Sequence, residues 1–557
     1  RARIDAKIFI TAKDYHNKTL NKTIIIHHAM SCWPYARLPL CFHAMMLRLT
    51  LLLSLLVALG TAAARQPNIV VIIADDMGFS DIGCYGGEIP TPNIDALAKG
   101  GLRFTNYYVN NMCLVTRASL MTGNYPKTAK PAATLSKQCV TLPELLRKSG
   151  YTTLMAGKWH LGNHARAGAG SPNERGFDHW YGIPGGAASF YDPDLLTRDG
   201  RDISHEARKD PGYYFTDALS NEAAGMVNRA LDENPKRPFF LYLAYTAAHW
   251  PLHARERDIA KHKGTFAQGW DTLRKERLDR MKKIGVISPD CRISPRHPRI
   301  PAWNNEKNKK WQERRMEVYA AQVTVMDEGI GRIMELLRKR NAFDNTLILY
   351  MHDNGACHVE YGEQRKGPYL PAKTRDGRPM TPGNRPDIMP GAEHTYQSVG
   401  YGWANLGNTP FRLFKQHDHE GGNRSPLVAH WPEGISGKGR LEKAVCHVTD
   451  LMPTLLESTG ITYPEKFEGQ SILPHVGRSF AQAFAGKTVA DRETIFWKHA
   501  KGKALRDGDW KLVAQSRGGG ELYNLAKDPT ELNNLAGSEP EKVSLLRKKW
   551  QAWQDGQ

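Results

Sequence analysis

The sequence lacks any stretch long and apolar enough to cross a membrane. Its longest apolar run, Leu49 to Gly60, falls short of the roughly 20 residues that a spanning helix needs. Low-complexity tracts and internal repeats are also missing, which sets aside disordered and solenoid architectures. Cysteine is sparse, eight residues in 557, and its spacing matches no zinc pattern. Acidic residues are outnumbered, 57 Asp and Glu against 76 Lys and Arg, for a formal charge of +19. The basic residues are scattered, and no helix-turn-helix, zinc-finger or RNA-binding signature accompanies them, so nucleic acid is not an expected partner. The positive excess instead suits an anionic small molecule or a polysaccharide.

What is present indicates a globular protein. A chain of 557 residues exceeds what one core usually holds, so one large domain and at least one smaller one are expected. Met45-Met46-Leu47-Arg48, the apolar run to Gly60 and the small residues Thr61 to Ala64 have the layout of a secretory signal peptide over residues 45–64. Export to the periplasm or the extracellular space, without a stable membrane anchor, is the expectation. Residues 1–44 have no place in that layout and are expected to be an upstream extension foreign to the native protein. Residues 1–64 carry eight Lys or Arg and two Asp or Glu, +6 of the +19, so the processed chain keeps +13. Six cysteines then remain: Cys84, Cys113, Cys139, Cys291, Cys357 and Cys446. Export permits disulfides. With Cys113 set aside the count is odd, so at least one other thiol stays free or pairs outside the chain.

Asn68 to Ala74 is a continuous, β-branched apolar run, the pattern of a strand buried on both faces of a parallel sheet. It ends on Asp75 and Asp76. Adjacent carboxylates at the carboxyl end of a buried strand are costly unless a cation or donors satisfy them, and that edge is where ligands bind in open α/β sheets; a solvated turn is the plainer alternative. Phe239 to Tyr245 is a second such strand, followed by His249. Asn345 to Met351 is a third, ending in His352-Asp353-Asn354-Gly355. Three carboxylates and an amide, all oxygen donors, suit a hard cation, Ca²⁺ before Mg²⁺, and offer too little nitrogen or sulfur for zinc.

Between these strands, Thr141 to Gly150 predicts a helix with a capping box formed by Thr141 and Glu144. A strand over Thr152 to Ala156 leads into Lys158 and His160. These two alternate on an extended segment, so both face one cleft only if the backbone bends there. Residues 254–315 are highly charged and predict mobile helices and loops. Glu317 to Lys339 predicts a long amphipathic helix. Residues 358–408 predict a loop-rich wall facing a substrate. Lys415 precedes Glu420-Gly421-Gly422-Asn423-Arg424, and Leu427 to Trp431 is a further strand. Short strand candidates from Thr494 to Tyr523 predict a small antiparallel sheet, followed by a terminal helix from about Glu539. Cys113 stands four residues before Arg117 at the start of a short helix that Gly123 and Pro126 end. A thiol there sits in a positive field, which makes it either a reactive cysteine or part of an anion-docking turn; a buried structural cysteine fits equally well.

Taken in order, Asn68 to Gly78, Cys113 to Gly123, Gly157-Lys158-Trp159-His160-Leu161-Gly162, His249-Trp250-Pro251, Asp353-Asn354-Gly355, the Lys415 to Arg424 segment and Leu505 to Lys511 form one set. With them the chain resembles the type I sulfatases, calcium-dependent sulfate-ester hydrolases of the alkaline phosphatase-like superfamily. Gly269-Trp270-Asp271 and Ser398 to Asn405 make it most similar to bacterial arylsulfatases. The resemblance implies an α/β fold: a large mixed, mostly parallel sheet flanked by helices, as catalytic domain over residues 65–470, and a C-terminal α+β subdomain with a small antiparallel sheet over residues 471–557. It implies that Cys113 is oxidised by a formylglycine-generating enzyme. One hydroxyl of the aldehyde hydrate then attacks sulfur, and the other releases sulfate by elimination. One Ca²⁺ would be held by Asp75, Asp76, Asp353 and Asn354. Arg117 and Lys158 would orient the hydrate, His160 would act as base in the elimination, and His249 and Lys415 would bind sulfate and protonate the leaving alcohol. Substrates would be sulfated small molecules or carbohydrates. The segment departs from the usual maturation motif at Val115, where Pro or Ala is common, and at Thr116, where Ser is commoner; Arg117 is kept. A phosphatase or phosphodiesterase on the same fold, and a sulfated-glycan-binding relative without catalysis, are the competing readings.

Overall fold

The computed structural model describes residues 65–130, 134–162, 170–364, 369–499, 502–514 and 520–556. The expected signal peptide and the extension before it lie outside the described residues. Residues 66–557 form one compact unit.

Its centre is a sheet of eleven strands among the described residues. The main ones are β1 (Asn68–Ala74), β2 (Leu102–Tyr108), β3 (Thr152–Lys158), β4 (His179–Ile183), β5 (Phe239–Ala244), β6 (Thr346–His352) and β7 (Arg424–His430). In space they run β2-β7-β6-β1-β5-β3-β4, with short strands continuing both edges. Every residue of β1, β5, β6 and β7 is buried, as the apolar runs of β1, β5 and β6 require of strands covered on both faces. β1, β3, β4, β5 and β6 are mutually parallel, while β7 runs antiparallel to both β6 and β2. One consequence orders the whole molecule. The carboxyl ends of β1, β2, β3, β5 and β6 and the amino end of β7 all meet at the same edge. The loops after Ala74, Tyr108, Lys158, Ala244 and His352, and the loop before Arg424, therefore converge.

Helices cover both faces. α1 (Cys113–Thr122), α2 (Leu142–Lys148), α3 (Phe215–Glu233), α4 (Gly269–Lys283), α5 (Lys309–Lys339), α6 (Gly400–Gly407) and α7 (Leu451–Thr459) are the principal ones. α2 carries the expected capping box, with the Thr141 side chain accepting from the Glu144 amide and Glu144 accepting from the Thr141 amide. α5 begins eight residues before the predicted Glu317, because Trp311, Arg315 and Met316 already face the core. The charged segment 254–315 is not a loose cover. In α4, Trp270, Leu273, Arg277 and Met281 are buried, Trp270 packs edge-on to Trp303 and Trp403, and the Arg277 guanidinium pairs with Asp81 and Glu88 at 2.7 Å each. Charge density misled the sequence reading here, since Arg274 and Arg277 point inward, Arg277 onto fixed carboxylates and Arg274 onto Ser294.

The chain ends in a four-stranded antiparallel sheet, β8 (Thr494–His499), β9 (Gly502–Asp507), β10 (Trp510–Ala514) and β11 (Glu521–Asn524), backed by α8 (Pro540–Gly556). A buried charge cluster joins this sheet to the main one. Lys511 Nζ lies 2.7 Å from Glu420 Oε1 and 3.1 Å from Glu531 Oε1. Glu420 Oε2 accepts from Tyr108 Oη at 2.8 Å and from Arg424 at 3.2 Å, and Glu531 Oε2 accepts from the Glu420 amide at 2.9 Å. Burial alone would raise the Glu420 carboxyl, but Lys511, Arg424 and Arg506 hold it down at about 2. No described helix is long and apolar enough to cross a membrane, and all six described cysteines are free thiols.

Candidate active site

Asp75 and Asp76 leave β1 directly into the convergent edge. Asp76 has a left-handed backbone, φ +61°, and this turn sends the two neighbouring carboxylates to different partners. Asp75 Oδ2 lies 2.7 Å from Lys158 Nζ and 3.8 Å from Arg117. Asp76 Oδ1 accepts from Lys415 Nζ at 2.5 Å and from Asn354 Nδ2 at 2.8 Å. Asp353, just past β6, accepts from Arg117 at 2.9 Å through Oδ2 and from the Asp76 amide at 3.2 Å through Oδ1. Gly355 is fixed by a close approach: its amide donates to Gly422 O at 3.0 Å, and a Cβ on it would fall 1.8 Å from Gly421 O.

Cys113 is the first residue of α1. Met112, at the cap position, contributes no side-chain cap, and the helix ends at Gly123 in the left-handed region, as the sequence predicted. The Cys113 Sγ is 3.4 Å from His160 Nδ1 and 3.9 Å from Lys415 Nζ. β3 runs two residues further than expected and carries Lys158 as its last member. Within it, Gly157 adopts φ +121° beside Ala244, where a Cβ would stand 1.8 Å from the carbonyl oxygen, so only glycine fits. His160 follows at φ +59°, and this is the bend that lets Lys158 and His160 face one cleft. His249, on the loop after β5, donates from Nδ1 to Trp250 O at 2.7 Å and turns Nε2 toward Asp76 Oδ2 at 3.3 Å. All ten residues singled out from the sequence thus stand together at one edge of the sheet.

The electrostatics are those of a charge cluster missing a member. Burial works against the ammonium groups of Lys158 and Lys415, yet Asp75 and Asp76 more than offset it and both stay above their usual range. Burial would raise Asp76, but Lys415, His249 and Lys158 hold it below the usual carboxylate range. Burial and the neighbouring Asp75 push Asp353 up to about 7. Burial first, then Lys415 and Lys158, push His249 down to about 3 against the pull of Asp76, so the ring is neutral at pH 7 and its Nε2 lone pair faces a carboxylate oxygen. Asp75 Oδ1, Asp76 Oδ2 and Asn354 Oδ1 are all buried without a hydrogen-bond partner. An unsatisfied buried acceptor costs about 1–3 kcal/mol, and more when charged. Three orphaned oxygens from three of the four expected ligands are the donor set of a hard cation, and Asp75, Asp76 and His249 offer atoms within 4.8 Å of one another.

Sequence reasoning missed several neighbours. Tyr242 Oη, from the middle of β5, meets Arg117 at 3.5 Å. The Cys357 thiol, buried beside Asp76, is pushed up by burial and then by that carboxylate. Asn111 Nδ2 donates to Asp418 Oδ1 at 2.6 Å while Asn111 O accepts from the Gln416 amide at 2.8 Å, which fastens the Lys415 loop to the approach to Cys113. Local periodicity carries no trace of such contacts.

Known proteins are similar to the chain over most of its length. The family model described as Sulfatase matches residues 67–461, and that described as N-sulphoglucosamine sulphohydrolase, C-terminal, matches residues 411–554. An arylsulfatase of Klebsiella aerogenes is 32% identical over 474 residues, covering 79% of this chain and 97% of the relative. An uncharacterized sulfatase of Schizosaccharomyces pombe is 31% identical over 540 residues, covering 88% of this chain and 93% of the relative. Among solved structures, Ps i-CgsB in complex with k-i-k-neocarrahexaose superposes with a TM-score of 0.61 at 26% identity, covering 88% of this chain and 92% of that one.

Proposed function

We propose, from the premise that the chain belongs to the sulfatase family and is a sulfuric ester hydrolase, that it cleaves aryl or carbohydrate sulfate esters to an alcohol or phenol and inorganic sulfate, with Ca²⁺ at the strand-end carboxylates and a formylglycine made from Cys113. The observation that carries this is the trio of orphaned oxygens on Asp75, Asp76 and Asn354, ringed by Arg117, Lys158 and Lys415 around residue 113. Cys113 Sγ stands where the reacting oxygens of the hydrate would be. Asp75, Asp76, Asp353 and Asn354 would hold the cation, which when bound supplies Lewis-acid polarisation of a sulfate oxygen.

The chain's own groups then divide the work. Arg117 and Lys158 hold two of the carboxylates by ion pairs and fix their orientation. His160, its Nδ1 at residue 113, is placed to take the proton from the hydroxyl that expels sulfate. Lys415 lies between Asp76 and residue 113 and is charged at neutral pH, so it is the group of the two with a proton ready for the leaving oxygen. His249 stands on the same wall, its Nε2 3.3 Å from Asp76, and would bind the sulfate group together with Lys415. The domain division at residue 470, the maturing enzyme and export with loss of residues 45–64 belong to the same proposal; N-terminal sequencing of secreted protein checks the last.

The test pairs 4-nitrophenyl sulfate with 4-nitrophenyl phosphate and measures the mass of the tryptic peptide carrying residue 113. Sulfate release that needs Ca²⁺, with an aldehyde mass at residue 113, is expected. An unmodified thiol in fully active protein, or faster phosphate release, overturns the assignment.

A further inference from the structure

The turn that carries His160 is bonded to the loop that leaves β4. Lys158 and Ile183 are the last paired residues of β3 and β4. Beyond them the Trp159 amide donates to Ile183 O at 3.0 Å and the His160 amide to Pro184 O at 3.1 Å. Two residues after Pro184, Gly186 lies against the imidazole itself. A Cβ on Gly186 would stand 2.7 Å from Nε2, 2.8 Å from Cε1 and 3.2 Å from Cδ2 of His160. The other ring nitrogen, Nδ1, faces residue 113 at 3.4 Å. The ring is thus bounded by the reacting residue on one side and by a backbone without a side chain on another.

The backbone does not ask for glycine at this position. Gly157 and Gly182 have positive φ, and a Cβ on either would strike main-chain atoms of the neighbouring strand. Gly186 is not among the residues with positive φ, so an L residue can adopt its conformation. It is buried, and the three atoms nearest to its missing Cβ all belong to the His160 ring. Ordinary carbon contacts lie at about 3.5–4.0 Å. A methyl group on residue 186 would therefore push the imidazole by about 1 Å, and the end of a side chain yields where a backbone does not.

We propose that Gly186 is a positioning residue for His160: its missing Cβ makes the seat in which the imidazole stands with Nδ1 at residue 113. A misplacement of about 1 Å at a reacting group can cost about 10²-fold in rate. The proposal rests on the sulfatase reading for what His160 does, as the base in sulfate release, while the seat itself is a matter of packing.

Gly186→Ala in the Ca²⁺-loaded full chain tests it. With 4-nitrophenyl sulfate, kcat is expected to fall about tenfold or more. KM should fall with it while kcat/KM holds, with a burst of 4-nitrophenol, because the phenol leaves before the step that His160 serves. In a His160→Ala background the same substitution is expected to cost nothing further, since the ring that it displaces is gone. A second measurement needs no turnover. With ¹³C at histidine Cε1, the resonance assigned to His160 by its loss in His160→Ala is expected to shift in Gly186→Ala, while the other imidazole resonances stay in place. A kcat equal to wild type, a loss just as large without the His160 ring, an unmoved His160 resonance, or a fall in thermal midpoint that His160→Ala does not relieve overturns the proposal. Wild type that releases no sulfate would instead sink the hydrolytic reading, and a shifted resonance would then leave the seat standing.

Discussion

Two clusters of buried charge lie about the same strand edge, and both are built from carboxylates, lysine and arginine. In the one that joins the C-terminal sheet to the main sheet, both oxygens of Glu420 and Glu531 Oε2 are hydrogen-bonded, and Glu531 Oε1, which makes no hydrogen bond, still has the Lys511 ammonium at 3.1 Å. In the other, Asp353 is equally well served, but Asp75, Asp76 and Asn354 each keep one oxygen with nothing to accept from. The first cluster is closed and holds parts of the fold together. The second is open by three acceptors and holds a place for something else. Burial and charge alone do not separate a structural ion cluster from a functional one; whether each oxygen faces a cation or donor does.

The sharpest way to break this contrast is to open the closed cluster. Lys511→Met leaves Glu420 and Glu531 buried without their cation and is expected to cost about 3–5 kcal/mol in urea denaturation, whether or not Ca²⁺ is present. A loss below about 1 kcal/mol would mean the cluster is not structural. The next largest effect comes from the open cluster. Asp353→Asn is expected to lower kcat/KM for 4-nitrophenyl sulfate by about 10²–10³-fold, while the cation-free protein becomes no less stable, because a carboxyl crowded by Asp75 is removed.

Cation loading should then separate the two clusters. Ca²⁺ at about 100 times its dissociation constant is expected to stabilise wild type by about 2.7 kcal/mol, read as a rise in thermal midpoint. Lys511→Met should show the same rise, and Asp353→Asn at that concentration little or none. The smallest effect is the pH dependence of the chelator-treated protein. The Asp353 carboxyl is raised in the fold from its ordinary 3.8 to about 7. Its contribution is therefore most favourable below 3.8 and is lost as pH climbs to 7, because the folded state binds the extra proton across that window. Asp353→Asn should flatten this slope, and an unchanged slope in the variant would place the titration elsewhere.

Much of the open cluster was legible in the sequence, and the closed one was not. Asp75, Asp76 and Asp353 follow unbroken apolar strands, and a carboxylate at such a strand end is visible without any tertiary knowledge. Cys113 was readable as a helix start because Gly123 and Pro126 mark the other end. His160 was ambiguous, since alternation places it opposite Lys158, and only its left-handed backbone resolves the conflict. Lys511 read only as one residue of a short strand candidate. Its burial comes from Glu420, 91 residues away, and no local pattern records a partner at that distance. The same limit hid the inward face of α4, where arginines that read as solvent charge are bonded to Asp81 and Glu88.

The chain separation between Cys113 and Lys415 also has a meaning in time. The two side chains come within 3.9 Å, yet they stand 302 positions apart in the chain. At about 5–20 residues per second, a ribosome needs roughly 15–60 s to pass from one to the other. Once the fold closes, Val115 and Arg117 are buried with the rest of α1. An enzyme that carried out the proposed oxidation of Cys113 on the extended segment would therefore have an interval set by translation, and the edge that assembles the site would also end it.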